Sequence, residues 1–333
     1  MTPPLVTPPP GYQDLRDAVA WAELPERTTV FATGRDAVRF VDSFTTAALA
    51  GVAASTGTEG FFADGRGWVI ALANIMRTED GLWIDAAAGP SARLRDHLEH
   101  HHIREAVELV DATPDVACHL VGGPEAGTWL AARTAAALPV RRLDHATVTL
   151  GGGVATVARI DGYGPLAFVV RVTTADGPRL RDWFDREGLP RASAAAVEAV
   201  RIEERYPHPA DIPDKTLPQE LDPTARAISF TKGCYLGQET VARLDALGHV
   251  NRTLALVAID GEPPAAAAVI RLGDEPVGTI TSACLSPRFG RPVGLALVHR
   301  RASAPGARLT VEGSAARIVD APSQPDAAAA KDA

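Results

Sequence analysis

The sequence predicts an α+β protein of more than one domain, with a small antiparallel β-barrel at its C-terminal end. Three observations lead there. The chain has 333 residues, more than one core of ordinary size encloses. Between Gly34 and Tyr206, helical spacing and paired apolar runs alternate in two rounds of similar order, without matching residue identities. Beyond Gly248 the chain breaks into short apolar runs separated by Gly and Pro, the pattern of a closed sheet of short strands.

Each element has its own reason. The first ten residues hold five prolines and the end reads APSQPDAAAAKDA, so residues 1–27 and 320–333 are expected to be mobile tails. GRDAVRFVDSFTTAAL has helical apolar spacing, and EGFFADGRGWVIALANIMR is two apolar runs around an Asp64–Gly67 turn, a hairpin. GLWIDA reads as a strand, and SARLRDHLEHHHIREA as a helix capped by Ser91 with Leu94 and Leu98 on one face. VELVDA and VACHLVG read as strands, and PEAGTWLAARTAAAL as a helix begun at Pro124. ATVARIDGYGPLAFVVRV is a second hairpin, around Asp161–Gly164, and GPRLRDWFDREGL and SAAAVEAVRIEERY are helices. Prolines at 207, 209, 213, 218 and 223 make Tyr206–Phe230 a long loop, which a domain keeps for function.

A formal charge of −8 argues against nucleic-acid and anionic-membrane partners, which need a basic excess. MTPPLVTPPPGYQDL lacks the basic and apolar regions of a signal peptide, and no segment gives eighteen uncharged apolar residues, so a cytoplasmic protein is expected. Cys118, Cys234 and Cys284 are too few and too dispersed for a disulfide framework.

Among these, Cys234 has the most suggestive neighbours. Gly233 has no Cβ to keep a ligand away, and the Lys232 charge would favour thiolate over thiol. The alternative is a small buried hydrophobe between two turns. His208 and His249 are the nearest candidates for a general base, at no diagnostic spacing, and His208 sits between prolines as an exposed loop residue does. His97 and His101 share a helix face, yet HLEHHH lacks the His-Glu-x-x-His pattern and reads as a solvated helix end with no metal. GGPEAG and GGG lack the Lys and Ser of a phosphate loop, and Cys118 and Cys284 sit in apolar runs as core residues.

Lys232-Gly-Cys-Tyr-Leu-Gly-Gln-Glu239 resembles the signature of the YgfZ family, folate-binding relatives of the glycine-cleavage aminomethyltransferase (T-protein, GcvT) that serve iron–sulfur proteins. VRIEERYPHPADI and then LPQELDPTARAISFTKGCYLGQE resemble the family's run into that signature, continued by Arg243 to Arg252. FATGRDAVRFVDSFTT, FFADGRGWVI and LVGGPEAGTWL are similar to its opening helix, first hairpin and later helix. The likeness covers about residues 28–315 and is strongest over 200–252. It departs from the family at RFVDSF, where Phe-Leu-Gln-Gly is usual, and at Asp64, where a lysine is frequent.

The resemblance implies a GcvT-like multi-domain folate-binding fold around a central opening. Residues 28–250 would form two interleaved α+β subdomains and 251–319 the barrel. T-proteins carry an aspartate pair after the first hairpin's glycines; here the matching positions are Ile70 and Ala71, which take no proton, unless Asp64 or Asp85 fills that role. A pterin edge suits a carboxylate, which makes Glu203 the expected partner and Asp85 a second, with Arg201 orienting Glu203 or meeting the ligand. Cys234, its pKa lowered by Lys232, would face the same cavity, with Tyr235 among the folate-binding residues and Gln238 and Glu239 bonding loop backbone or ligand.

The implied cofactor is tetrahydrofolate or a one-carbon-substituted folate, and the implied partners are iron–sulfur enzymes or their assembly machinery. The expected function is a folate-binding accessory factor for assembly, maintenance or repair of iron–sulfur enzymes, with Cys234 as its functional thiol and little turnover of its own. Aminomethyl transfer of the T-protein type and a plain folate-binding module are the alternatives.

Overall fold

Two five-stranded antiparallel sheets and a closed six-stranded barrel build the molecule, so the α+β class and the C-terminal barrel are as the sequence predicts. The computed structural model describes residues 6–25, 27–86, 91–221, 226–248 and 250–320. Among them no helix is long and apolar enough to cross a membrane.

The first sheet runs β3 (Gly57–Ala63), β4 (Val69–Arg77), β5 (Gly81–Ala86), β2 (Thr28–Thr33), β6 (Glu108–Asp111). β3 and β4 are the first hairpin, and Gly67 turns between them at φ 81°. One face of this sheet packs on α2 (Ala37–Asp42) and α3 (Ser91–His100) through Phe40, Val41, Leu94 and Leu98. The Ser91 cap lies outside the described side chains.

The second sheet runs β1 (Ala20–Glu23), β7 (Val116–Gly122), β10 (Ala167–Thr173), β9 (Gly153–Ile160), β8 (His145–Leu150). α4 (Ala126–Ala131) and α5 (Gly177–Arg186) cover its outer face with Leu130, Leu180 and Phe184. Its inner face meets the first sheet, where Met76 and Trp83 pack with Leu120, Ala158 and Val169, closed off by α6 (Ala194–Glu203).

The expected N-terminal tail is corrected by this sheet. α1 (Tyr12–Asp17) and β1 lie within residues 1–27, and both are folded in. Trp21 is fully buried and stacks on Phe184 at 5.2 Å, while β1 pairs along β7. Apolar residues at 12, 15 and 20–22 outweigh the prolines before them. Residues 1–5 and 321–333 lie outside the described residues.

The barrel, in the order β11 (Arg252–Ile259), β14 (Arg291–His299), β13 (Glu275–Ser286), β12 (Val269–Leu272), β15 (Leu309–Val311), β16 (Ser314–Val319), closes on itself and leaves no open edge. Alternate residues of β11 divide its two faces. Ala255, Val257 and Ile259 fill the barrel, and Leu254, Leu256 and Ala258 face Ile202, Ala227, Ile228 and Val241 of the preceding region. The loop expected over 206–230 contains α7 (Pro218–Leu221) and leads through the cysteine motif into α8 (Gln238–Leu247).

Candidate functional site

The cysteine motif is anchored through Lys232, Leu236 and Gly237. Lys232 Nζ donates to the carbonyl oxygens of Asp42, Thr45 and Ala47 at 2.6, 3.0 and 2.6 Å, and lies 3.1 Å from the Asp42 carboxylate. An ammonium has three N–H donors, so the last carbonyl of α2 and two in the segment that follows it use all of them. Lys232 is thus turned to the segment Asp42–Ala47, and none of its N–H groups is left to donate to Cys234. Burial lowers the Lys232 pKa, opposed by Asp42. Lys232→Met should leave those carbonyls unmet and cost about 1–3 kcal/mol in urea unfolding; an unchanged midpoint would refute the cap.

The second anchor is a contact between glycines. Gly237 has φ 82°, and a Cβ there would fall 2.5 Å from the Asp64 carbonyl oxygen and 3.0 Å from Gly67 Cα. The Leu236 N–H donates to the Ser43 carbonyl at 2.9 Å. Tyr235 is buried, which pushes its hydroxyl up to about 12, and its ring lies 5.2 Å from Lys232 Nζ. Gln238 and Glu239 form the first turn of α8, where the Glu239 carboxylate suits the helix dipole. Cys234 is exposed. A Cβ on Gly233 would meet nothing within 4 Å among the described residues, so none of their contacts requires that glycine.

The buried charges lie elsewhere, at the seams between the sheets and the barrel. Asp85 is fully buried and gripped by Arg27, whose Nε and Nη2 donate at 3.0 and 2.8 Å, and by Arg171 from the facing sheet. Arg171 also lies 4.2 Å over the Trp83 ring. Burial alone would raise the Asp85 pKa; the two guanidiniums outweigh it and hold the carboxyl below its ordinary range. Glu59 is held in the same way, with burial outweighed by Arg142 at 2.9 Å and Arg226 at 2.8 Å.

Glu203 ends α6 with no exposed surface. Its carboxylate accepts from Tyr12 Oη at 2.9 and 2.8 Å, from Ser286 Oγ at 2.5 Å and from Arg16. It therefore joins α1, α6 and the barrel strand β13. Arg201 does not orient it. The guanidinium turns instead to Glu198, to Asp211 at 2.8 Å, to the Tyr206 carbonyl and to Ser282.

The residues the sequence expected to face one cavity differ in exposure. Cys234 is in an exposed loop and Glu203 has no exposed surface, with Ile202 of α6 and Val241 of α8 in one apolar cluster. Ile70 and Ala71 are buried, and Asp64 Oδ1 accepts from the Arg66 and Trp68 amides of its own turn. His208 is not an exposed loop residue. Its Nε2 lies 3.0 Å from Tyr163 Oη, and burial, with Arg201 and Arg27, brings its pKa to about 3. His249 lies outside the described residues. Cys118 is buried and Cys284 half-buried, with burial and then Glu203 pushing the Cys284 thiol up to about 12.

The histidine run is also not simply a solvated end: His97 and His101 pack on Phe44 at 6.0 and 5.1 Å. Burial, then His101, lowers the His97 pKa to about 4.

Three comparisons place this geometry among known proteins. The GCVT N-terminal domain model matches residues 11–232, and the glycine cleavage T-protein C-terminal barrel domain matches 252–323. An aminomethyltransferase of Symbiobacterium thermophilum is 26% identical over 272 residues, 77% of this chain and 69% of that protein. Further bacterial aminomethyltransferases are matched over about half of their own length. The tRNA-modifying protein YgfZ of Colwellia psychrerythraea is 42% identical over 72 residues, 21% of this chain and 22% of that protein. In fold, the chain is similar to the glycine cleavage system aminomethyltransferase T of Bartonella henselae, with a TM-score of 0.81 over 92% of this chain and 86% of that one at 16% identity. Two interlocked sheets and a closing barrel, both matched by the domain models of one family, make this chain a member of the glycine-cleavage T-protein (GcvT) family.

Proposed function

We propose that the chain binds a reduced folate at the seam between its two sheets. The observation that supports this is the charge held there. Arg27 and Arg171 share one carboxylate, Asp85, and Arg171 Nε has no hydrogen-bond partner among the described residues. A buried positive surplus beside Trp83 and Tyr163 suits a flat ligand with an anionic tail. Tetrahydrofolate, free or carrying a one-carbon group, has both. Glu203 would grip the pterin edge by exchanging Tyr12 or Ser286 for ligand N–H groups.

The names of the relatives favour folate-dependent aminomethyl transfer as the activity, and that reading stands first. A second reading is favoured by one specific observation: the hairpin positions that would hold the aspartate pair are Ile70 and Ala71, while the cysteine motif presents an exposed thiol. It makes the chain an accessory protein for iron–sulfur enzymes, with Cys234 as the functional group.

Titration of the full chain with tetrahydrofolate, followed by an assay for ammonia released from an aminomethyl-lipoyl carrier protein, separates them. Binding with ammonia release supports transfer. Binding without release, together with a Cys234→Ala chain that folds but fails to restore iron–sulfur enzyme activity in a deletion strain, supports the accessory role. Absence of binding defeats both.

A further inference from the structure

The histidines at the end of α3 and just beyond it fall outside the folate reading. His97 and His101 are one helical turn apart, with ring centroids 4.9 Å apart at an interplanar angle of 61°. His101 Nδ1 lies 2.8 Å from the His97 carbonyl oxygen, which can only accept, so Nδ1 carries the proton and the Nε2 lone pair is left free. A backbone carbonyl on the far nitrogen is also how a metal-bound imidazole is normally held. His97 Nε2 is buried and has no hydrogen-bond partner among the described residues. The floor beneath both rings is Phe44, which offers no polar atom to either.

We propose that His97 and His101 form a two-imidazole clip for a borderline divalent metal ion such as zinc. Two imidazole nitrogens, one in the last turn of α3 and one just past its end, match the donor set such ions prefer over magnesium or calcium. Among the described residues no three His, Cys, Asp or Glu side chains are gathered for a metal, so water fills the remaining coordination positions. His97 reaches the ion by turning its ring about the Cβ–Cγ bond, a torsion with a broad well. His102 is not part of the clip: its Nε2 lies 2.9 Å from the Glu105 carbonyl and its Nδ1 3.6 Å from the Glu99 carboxylate.

The test is calorimetric titration of the tag-free full chain with zinc chloride, carried out on the Cys234→Ser variant to remove the exposed thiol as a donor. One equivalent should bind with micromolar affinity. His101→Ala should weaken binding by about tenfold or more, and His97→Ala likewise, whereas His102→Ala should leave it unchanged. His101 lies at the half-exposed helix end, so its variant remains informative if the more buried His97 variant fails to fold, and a thermal melt identifies that case. No zinc binding by the folded chain, or equal affinity in the His101→Ala chain, overturns the clip.

Discussion

Asp85→Ala is expected to lower the unfolding free energy by about 3–5 kcal/mol, because it leaves Arg27 and Arg171 charged and unpaired between two sheets. That is a large part of the roughly 5–15 kcal/mol a domain possesses. Urea unfolding at neutral pH measures it, and a loss below about 1 kcal/mol would show that the seam admits water or an anion to the arginines. The pH dependence has a definite sign. The folded-state pKa of Asp85 is depressed, so its stabilisation is complete above the unfolded carboxylate value of about 3.9 and is lost as pH falls through the folded value. Asp85→Asn should remove that part of the acid sensitivity.

Glu203→Ala is expected to cost about 3–5 kcal/mol as well, since Tyr12 and Ser286 lose the buried acceptor they share and Arg16 is left with Glu204 alone. Glu203→Gln keeps the shape and should cost less, about 1–3 kcal/mol. The pair separates two roles for this side chain. A folded Glu203→Gln chain that binds tetrahydrofolate as the wild type does assigns Glu203 to holding the domains together. One that unfolds at nearly the wild-type denaturant concentration but loses folate assigns it to the ligand.

The hairpins, most helices and the barrel were legible because alternation and punctuation set them locally. The β-strand Thr28–Thr33 escaped notice because its partners β5 and β6 are distant in sequence, whereas His145–Leu150 pairs with its neighbour β9 across Gly151 and Gly152 and was missed because, as an edge strand with Thr147 and Thr149 exposed, it has no continuous apolar run. The seam charges escaped for the same reason. Glu59 in GTEGFFA and Arg171 in AFVVRVT each sit within an otherwise apolar strand, and a charge there must find a partner from another element. That pattern marked the residues, and only the packing of the sheets could supply Arg142, Arg226 and Asp85 as their partners. The cysteine motif was legible as a motif and its anchors were not. Lysine beside cysteine suggests electrostatics, while the segment Asp42–Ala47, nearly two hundred residues earlier, accepts from the ammonium.

The lysine and glycine anchors set an order of assembly. The Lys232 to Asp42 contact spans 190 residues and the Tyr12 to Glu203 contact 191, so both close loops that include nearly the whole of both sheets. Such contacts form late, because loop closure must be met before they contribute anything. During synthesis the first sheet can pair its five strands while the β1 strand waits for β7, and the cysteine loop settles only after both sheets have formed. The exposed thiol is thus set in place by one of the last events of folding, and its orderly presentation reports that the chain has finished.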